Sequence, residues 1–327
     1  MLQDNFGRTI DYLRLSVTDR CNLRCRYCMP ESGVVSLPHH NVLSYEELLR
    51  ITRIAIALGV RKVRITGGEP LVRRGLVGFI RQLRALDPDL ELALTTNGIL
   101  LAGMAEELKN AGLNRLNVSL DSLNAERFRE ISRRDGLANV LAGLQRAAAV
   151  GLAPIKINMV PIRGVNDDEI EAFAELARDN PWEIRFIEYM PVSEGLDYSA
   201  SQRIGAEEIL ARLQHLGPLE AVNAAATAGP ANCYRIAGFT GQIGIIPAIS
   251  QHFCGECNRL RLTADGRLRP CLFSTEEIDL RSPLRAGATD AELRNLLLQA
   301  TESKPRGHRI GSDDFAPASR RMHGIGG

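Results

Sequence analysis

Six of the seven cysteines of this 327-residue chain fall into two compact triplets. The first, Cys21-Asn-Leu-Arg-Cys25-Arg-Tyr-Cys28, places three thiols within eight residues on a C-x3-C-x2-C spacing. The second, Cys254-Gly-Glu-Cys257 with Cys271 fourteen positions on, repeats the count on a C-x2-C-x13-C frame. Four thiolates close a zinc site or a four-iron cluster, so three leave one metal position open to another ligand. Each triplet reads either as a cluster with one reactive iron or as a structural zinc site completed from elsewhere. Cys233 is the natural completing ligand for the second triplet; otherwise it is a small core residue. An odd number of cysteines grouped in this way does not suit disulfides.

The second chemical feature is cationic. In Asn258-Arg259-Leu260-Arg261-Leu262, strand spacing sends Arg259 and Arg261 to one side while Leu260 and Leu262 anchor the other. Two guanidiniums held side by side suit a phosphate-rich anion, since each can make bidentate charge-assisted hydrogen bonds. The chain as a whole carries 40 basic and 39 acidic residues, a net charge of +1. That balance gives no field for a long nucleic acid or a membrane surface, so a basic site must be a local pocket for a small polyanion. No stretch is apolar for the length a bilayer requires, and nothing near Met1 reads as a secretory leader; the expectation is a soluble, cytoplasmic protein.

These residues need elements to position them. Short strands are expected at Leu13–Thr18, Arg61–Thr66, Leu90–Thr95, Arg115–Leu120, Ile155–Val160 and Glu183–Tyr189. Helical stretches alternate with them, among them Leu43–Gly59, with a capping box from Ser44 to Glu47, Leu76–Leu86, Asn139–Val150 and Asn166–Arg178. Five of the strands share a parity: Leu13, Leu15, Val63, Ile65, Leu92, Leu94, Leu116, Val118, Ile157 and Met159 fall on one face, and Arg14, Arg64, Thr95, Asn117, Ser119, Lys156 and Asn158 on the other. The sixth strand is less clean, because Arg185 shares its parity with Ile187 and Tyr189. Crossover helices must cover the apolar face, which leaves a polar interior. The expected fold is α/β: an incomplete (β/α)6 TIM-like barrel over residues 1–220, with a small C-terminal α+β cluster-binding domain over 221–301. The small-residue stretch 221–232 reads as a linker. Glycine turns at Thr66-Gly67-Gly68-Glu69-Pro70 and Thr95-Thr96-Asn97-Gly98 end two strands where ligands approach parallel sheets. Residues 302–327, with Lys304-Pro-Arg-Gly-His308 and Arg320 to Gly327, have no periodicity and read as a frayed tail whose histidines lack metal partners.

With these motifs in place, the chain resembles a known family. The C-x3-C-x2-C loop, with Tyr27 before its third cysteine, is similar to the signature of radical S-adenosylmethionine enzymes. The stretches Tyr12 to Pro30, Arg64 to Pro70, Phe253 to Gly266, Leu268 to Phe273 and the terminal Gly326-Gly327 resemble those of the GTP 3′,8-cyclases that open molybdenum cofactor biosynthesis. The resemblance implies two [4Fe–4S] clusters. Cys21, Cys25 and Cys28 would hold one, which binds and cleaves S-adenosylmethionine, with Tyr27, Gly68, Ser119 and Met190 around that cofactor; Cys254, Cys257 and Cys271 would hold the other, whose open iron takes the guanine. It further implies that Arg14, Arg64, Thr95, Lys156, Arg259 and Arg261 bind GTP, with Arg14, Arg259 and Arg261 catalytic, and that the Gly326-Gly327 tail reaches the active site. An electron donor, delivery of the product to the next enzyme of the pathway and a homodimer belong to the same implication. Many relatives read Met-Pro-Phe-Asp-Gly-Asn where this chain has Met190-Pro-Val-Ser-Glu-Gly195. Two rival readings compete: a radical enzyme with an auxiliary cluster that modifies a peptide, and a zinc-stabilised nucleic-acid-binding protein.

Overall fold

Alternation of short β-branched runs with amphipathic helices produces a wound parallel sheet. In the computed structural model, which describes residues 1–192, 198–222, 229–312, 315–318 and 320–326, β1 (Tyr12–Ser16), β2 (Lys62–Thr66), β3 (Glu91–Thr96), β4 (Arg115–Ser119), β5 (Ile155–Met159) and β6 (Glu183–Ile187) lie parallel and side by side in chain order. The remaining strands, β7 (Leu219–Val222), β8 (Asn232–Ile236), β9 (Gln242–Ile246), β10 (Arg259–Leu262), β11 (Arg267–Arg269) and β12 (Ile278–Asp279), join the same sheet. Their placement is the main addition to the expected architecture. β10 pairs parallel to β1, β9 pairs parallel to β6, and antiparallel strands complete both flanks.

The boundary expected near residue 221 therefore falls within β7, and the C-terminal segment forms no separate sheet. The physical reason is the sheet edge: an open parallel sheet leaves rows of unpaired N–H and C=O groups on β1 and β6, and these strands cover them. Of the expected linker, residues 223–228 lie outside the described residues.

The helices are α1 (Tyr45–Ala57), α2 (Leu76–Leu86), α3 (Ala105–Asn110), α4 (Ala125–Ser132), α5 (Leu137–Ala149), α6 (Ile170–Asp179), α7 (Ala206–Leu213), α8 (Arg281–Arg285), α9 (Asp290–Glu302) and α10 (Met322–Ile325). The Ser44–Glu47 capping box forms as expected, with Glu47 N–H donating to Ser44 Oγ at 3.2 Å and Ser44 N–H to Glu47 Oε2 at 2.7 Å. Helices α3, α4, α7, α8 and α10 add to the expected elements. Six residues give α3 too little periodicity to read. α4 carries its own start signal in Asn124, whose side chain accepts from the N–H groups of Glu126 and Arg127. Leu13, Leu15, Val63, Ile65, Leu92, Leu94, Leu116, Val118, Ile157, Ile184 and Phe186 are buried to 1% exposure or less on the helix-covered side. Each such side chain contributes about 1.5–3 kcal/mol when buried, so this stripe fixes which face looks inward. Arg185 then takes the inward parity of β6, and the sixth strand obeys the same alternation as the other five.

Candidate active site

The first cysteine triplet sits on the loop after β1, at the C-terminal ends of the parallel strands. Two neighbouring turns hold that loop. Gly68 N–H donates to Thr18 O at 2.7 Å and Glu69 N–H to Arg20 O at 2.8 Å, which seats the turn after β2 against the chain leading into Cys21. A Cβ on Gly68 would stand 2.4 Å from the Arg20 carbonyl oxygen, so only glycine permits this approach. On the other side Arg24 and Arg26 N–H groups donate to Ser132 O and Ile131 O at the end of α4. Glu69 accepts from Leu71 N–H, Asn97 N–H and the Thr96 hydroxyl, and Tyr27 donates its phenol to Asp121. Burial pushes Glu69 up to about 7 and Asp121 up to about 6.

The same burial pushes the Cys21 thiol up to about 11, Cys28 up to about 12 and Cys25 well above the usual range, with the neighbouring thiols and the carboxylates of Glu69 and Asp121 acting in the same direction. Three thiolates would thus be strongly disfavoured at this place unless a cation joined them. Three thiols gathered on one short loop at the cavity wall are a donor set that fits a cationic iron–sulfur cluster with one position left open.

The second triplet lies between β9 and β12. Cys254 opens a short turn, Cys257 closes it just before β10, and Cys271 follows β11. Here the local charge is reversed. Burial raises the Cys257 thiol, but Arg259 and Lys304 outweigh it and bring it down to about 6. Burial raises Cys254, and the backbone N–H of His308 opposes that rise. Cys233 stands elsewhere: its thiol faces Glu183 at 3.7 Å and the Ala231 carbonyl at 3.6 Å, outside the set of residues lining the cavity. It does not complete the second triplet, because β8 carries it to the opposite flank of the sheet from β10.

All six triplet cysteines line one cavity of about 320 Å³. Its floor is the polar face of the sheet. Register places Arg261, Arg14 and Arg64 side by side on β10, β1 and β2, with Arg259 beside Tyr12 one step away. Farther along, Arg185 lies beside Asn158, and across from it Gly244 keeps β9 clear; a Cβ there would stand 3.1 Å from Arg185 Cγ. Arg64 donates to Thr95 Oγ1 at 3.3 Å, and Arg14 and Arg261 both donate to the Gly326 carbonyl, at 3.2 and 3.4 Å. Among the described residues, the Nε of Arg64, Thr66 Oγ1, Asn117 Oδ1 and Asn158 Oδ1 are buried without a hydrogen-bond partner. Buried polar atoms left this way are costly and mark a site shaped for a polar ligand.

The cations also act on one another. Burial drives the Arg261 guanidinium well below its usual range and Arg14 down to about 10, with neighbouring arginines adding to both shifts. Tyr12 reports the same crowd. Burial would raise its phenol, yet Arg64, Arg14, Lys62 and Arg259 bring it down to about 8. The folded value lies below the ordinary one near 10, so the stabilisation from ionised Tyr12 is complete above about pH 10 and lost as pH falls through about 8. A tyrosinate absorbance step near pH 8 is expected, absent in Tyr12→Phe and moved upward by inorganic triphosphate. A step near pH 10, indifferent to triphosphate, would contradict this reading of the charges.

Of the residues expected from sequence, Arg14, Tyr27, Arg64, Gly68, Thr95, Ser119, Met190, Arg259 and Arg261 line the cavity with the six cysteines. Lys156 does not. Its ammonium is bound by Glu183, which also holds Arg185, and all three are largely buried. Met322 and His323 line the cavity and Gly326 reaches its arginines, so this part of the tail is not frayed; Gly327 and residues 193–195 of the divergent loop lie outside the described residues. Nor is Lys304–His308 frayed, since Lys304 and His308 belong to the wall beside the second triplet. Arg185, Tyr12 and Lys304 were passed over as site residues. Arg185 alone had a legible signal, its parity on the sixth strand.

The comparisons with known proteins agree with this geometry. The family model of the radical SAM superfamily matches residues 15–177, and that of Molybdenum Cofactor Synthesis C matches residues 182–310. A GTP 3′,8-cyclase of Moorella thermoacetica is 48% identical over 326 residues, spanning 100% of both chains. One from Geobacter sulfurreducens is 49% identical over 326 residues, spanning 100% of this chain and 99% of its own. Among solved structures, Streptococcus suis SuiB bound to S-adenosylmethionine superposes with a TM-score of 0.56 at 15% identity, over 80% of this chain and 60% of that one. The structure of anSMEcpe with bound AdoMet gives 0.57 at 13% identity, over 90% and 81%. At such identities these two show the fold alone. No helix among the described residues is long and apolar enough to cross a membrane.

Proposed function

We propose that this chain, which belongs to the GTP 3′,8-cyclase family of radical S-adenosylmethionine enzymes, converts GTP to (8S)-3′,8-cyclo-7,8-dihydroguanosine 5′-triphosphate, the first step of molybdenum cofactor biosynthesis. The observation that carries this reading is the single cavity with a cysteine triplet at each of two walls and a row of arginines between them. Cys21, Cys25 and Cys28 would hold one [4Fe–4S] cluster and Cys254, Cys257 and Cys271 a second. When bound, the first cluster and S-adenosylmethionine would supply the one-electron reduction and the removal of hydrogen from ribose C3′. The new C3′–C8 bond would then need one further electron, from the electron donor, and one proton to give the 7,8-dihydro product.

The chain's own residues would then do five things. Tyr27, Gly68, Ser119 and Met190 confine S-adenosylmethionine beside the first triplet, and the Glu69 carboxylate, fixed by three hydrogen bonds, keeps the Asn97 turn against it. Arg14, Arg64, Arg259 and Arg261 bind the triphosphate, whose negative charge relieves their mutual repulsion; a peptide substrate would leave that repulsion unanswered. Lys156 acts through Glu183, which aims Arg185 at the cavity, and Thr95 steadies Arg64. The Gly326 carbonyl occupies Arg14 and Arg261 until the triphosphate replaces it. The second triplet receives the base, so sugar and base are held from opposite walls, which limits the paths open to a reactive radical. A one-electron donor, a homodimer and delivery of the product to the next enzyme complete the reading.

Protein purified without oxygen is expected to contain about eight irons and eight sulfides with no stoichiometric zinc, and to consume GTP only when S-adenosylmethionine and a reductant are present. Colourless protein with bound zinc, inert toward GTP, would sink the proposal.

A further inference from the structure

Residues 304–308, Lys304-Pro305-Arg306-Gly307-His308, form a strap across the second triplet for which the reaction as described has no use. Lys304 follows the end of α9 and is 3% exposed. Its ammonium donates to the Arg259 carbonyl at 2.9 Å and the Pro270 carbonyl at 2.8 Å, the residues two positions after Cys257 and one before Cys271. It lines the cavity wall with Cys257 and Cys271. No carboxylate pairs with it among the described residues; the neighbouring groups that favour its charge are Cys257 and Cys271. A buried ammonium without a carboxylate is costly unless other anions stand beside it. Lys304 is therefore matched to a site loaded with thiolates.

The rest of the strap supports this placement. A Cβ on Gly307 would stand 3.5 Å from Cys254 Cβ. Arg8, paired with Asp4 at 2.6 Å, donates to the Cys254 carbonyl at 2.6 Å, the Arg306 carbonyl at 3.0 Å and the Pro305 carbonyl at 2.6 Å. Arg8 thus ties strap and cysteine turn together mechanically, while Lys304 brings charge to the sulfurs beside that of Arg259. At the first triplet the carboxylates of Glu69 and Asp121 stand beside Cys21 and Cys25, and Arg321 beside Cys28.

We propose that Lys304 is a positioning residue for the second triplet, which joins the Arg259 and Pro270 main chain across it and, by its charge, raises the reduction potential of the cluster held there. Nearby positive charge favours the more reduced, more negative state. The proposal rests on the reading that this triplet holds a [4Fe–4S] cluster.

The test is a potentiometric titration of the holoprotein, followed by electron paramagnetic resonance, on the native chain, Lys304→Met, Lys304→Arg and Arg8→Met, with iron counted in each. Lys304→Met is expected to keep its iron and to lower the equilibrium constant for reducing the second cluster at least about tenfold, 59 mV for one electron, with the first cluster's midpoint unmoved. Lys304→Arg should restore most of that shift. Arg8→Met should lose iron from the second site faster on exposure to chelator, with the midpoint of the remaining cluster near the native one. An unchanged midpoint in Lys304→Met, an equal shift at both clusters, or an equal shift in Arg8→Met would overturn the proposal. So would loss of the second cluster in both Lys304 variants, which would reduce Lys304 to packing. Zinc in the second triplet of the native protein would instead overturn the functional reading on which it rests.

Discussion

Replacing Cys254, Cys257 and Cys271 together with alanine is expected to halve the iron, from about eight to about four per chain, and to cut GTP cyclisation by more than about 100-fold. Reductive cleavage of S-adenosylmethionine should survive. The asymmetry follows from the two walls of the cavity: the first triplet lies beside Tyr27, Gly68 and Ser119, and among the described residues no hydrogen bond joins it to the second. What the variant loses is the second anchor of the substrate. A nucleotide held only by its phosphates can turn about its bonds, and misplacement by about 1 Å is enough to cost two orders of magnitude. The distinguishing measurement is the ratio of 5′-deoxyadenosine formed to GTP consumed, which should rise sharply. A variant that retains four irons and still cyclises GTP with native coupling would show that the second triplet does not orient the base.

Arg261→Met should separate stability from binding. In the ligand-free protein Arg261 is 7% exposed, lies between Arg14 and the second triplet, and is driven far below its usual pKa by burial and by Arg14 and Arg259. Its folded value lies below the unfolded one, so near neutral pH its charge opposes folding. Exchange of such a buried charge for an apolar side chain of similar length is expected to stabilise the ligand-free chain by about 1–4 kcal/mol. GTP binding should weaken at the same time, since a hydrogen bond to a charged group is worth about 1.5–3 kcal/mol, roughly 10- to 150-fold in affinity. The thermal midpoint without nucleotide should rise while the increment produced by GTP shrinks. A variant that is destabilised without GTP and binds it normally would mean that Arg261 is an ordinary structural cation.

Much of this was legible in the sequence because it depends on local pattern. Alternation placed Leu13, Leu15, Val63 and Ile65 against helices and Arg14 and Arg64 inside, and the Ser44–Glu47 box and Gly68 turn follow from residue chemistry at fixed spacing. The parts that were missed depend on pairing across long stretches of chain. That β9 and β10 would flank the six central strands could not be read from either segment, because edge strands are chosen by the edges they cover. The same pairing brings Arg261 beside Arg14. Lys156 looked like a cavity residue from parity alone, but parity does not reveal that Glu183 on the next strand binds its ammonium. The Lys304–His308 strap has no periodicity at all; its order comes from Arg8 at the other end of the chain and from the cysteines it covers.

The central claim is that S-adenosylmethionine at the first triplet and GTP on the arginine row meet with the ribose C3′ facing the cofactor. Its most direct test is a single-turnover incubation without oxygen, using GTP deuterated at C3′ and, in parallel, at the other ribose carbons, with mass analysis of the 5′-deoxyadenosine formed. Deuterium should pass into 5′-deoxyadenosine from the C3′ position alone. Transfer from another ribose carbon, or unlabelled 5′-deoxyadenosine from every labelled GTP, would contradict the orientation that the two triplets and the arginine row define.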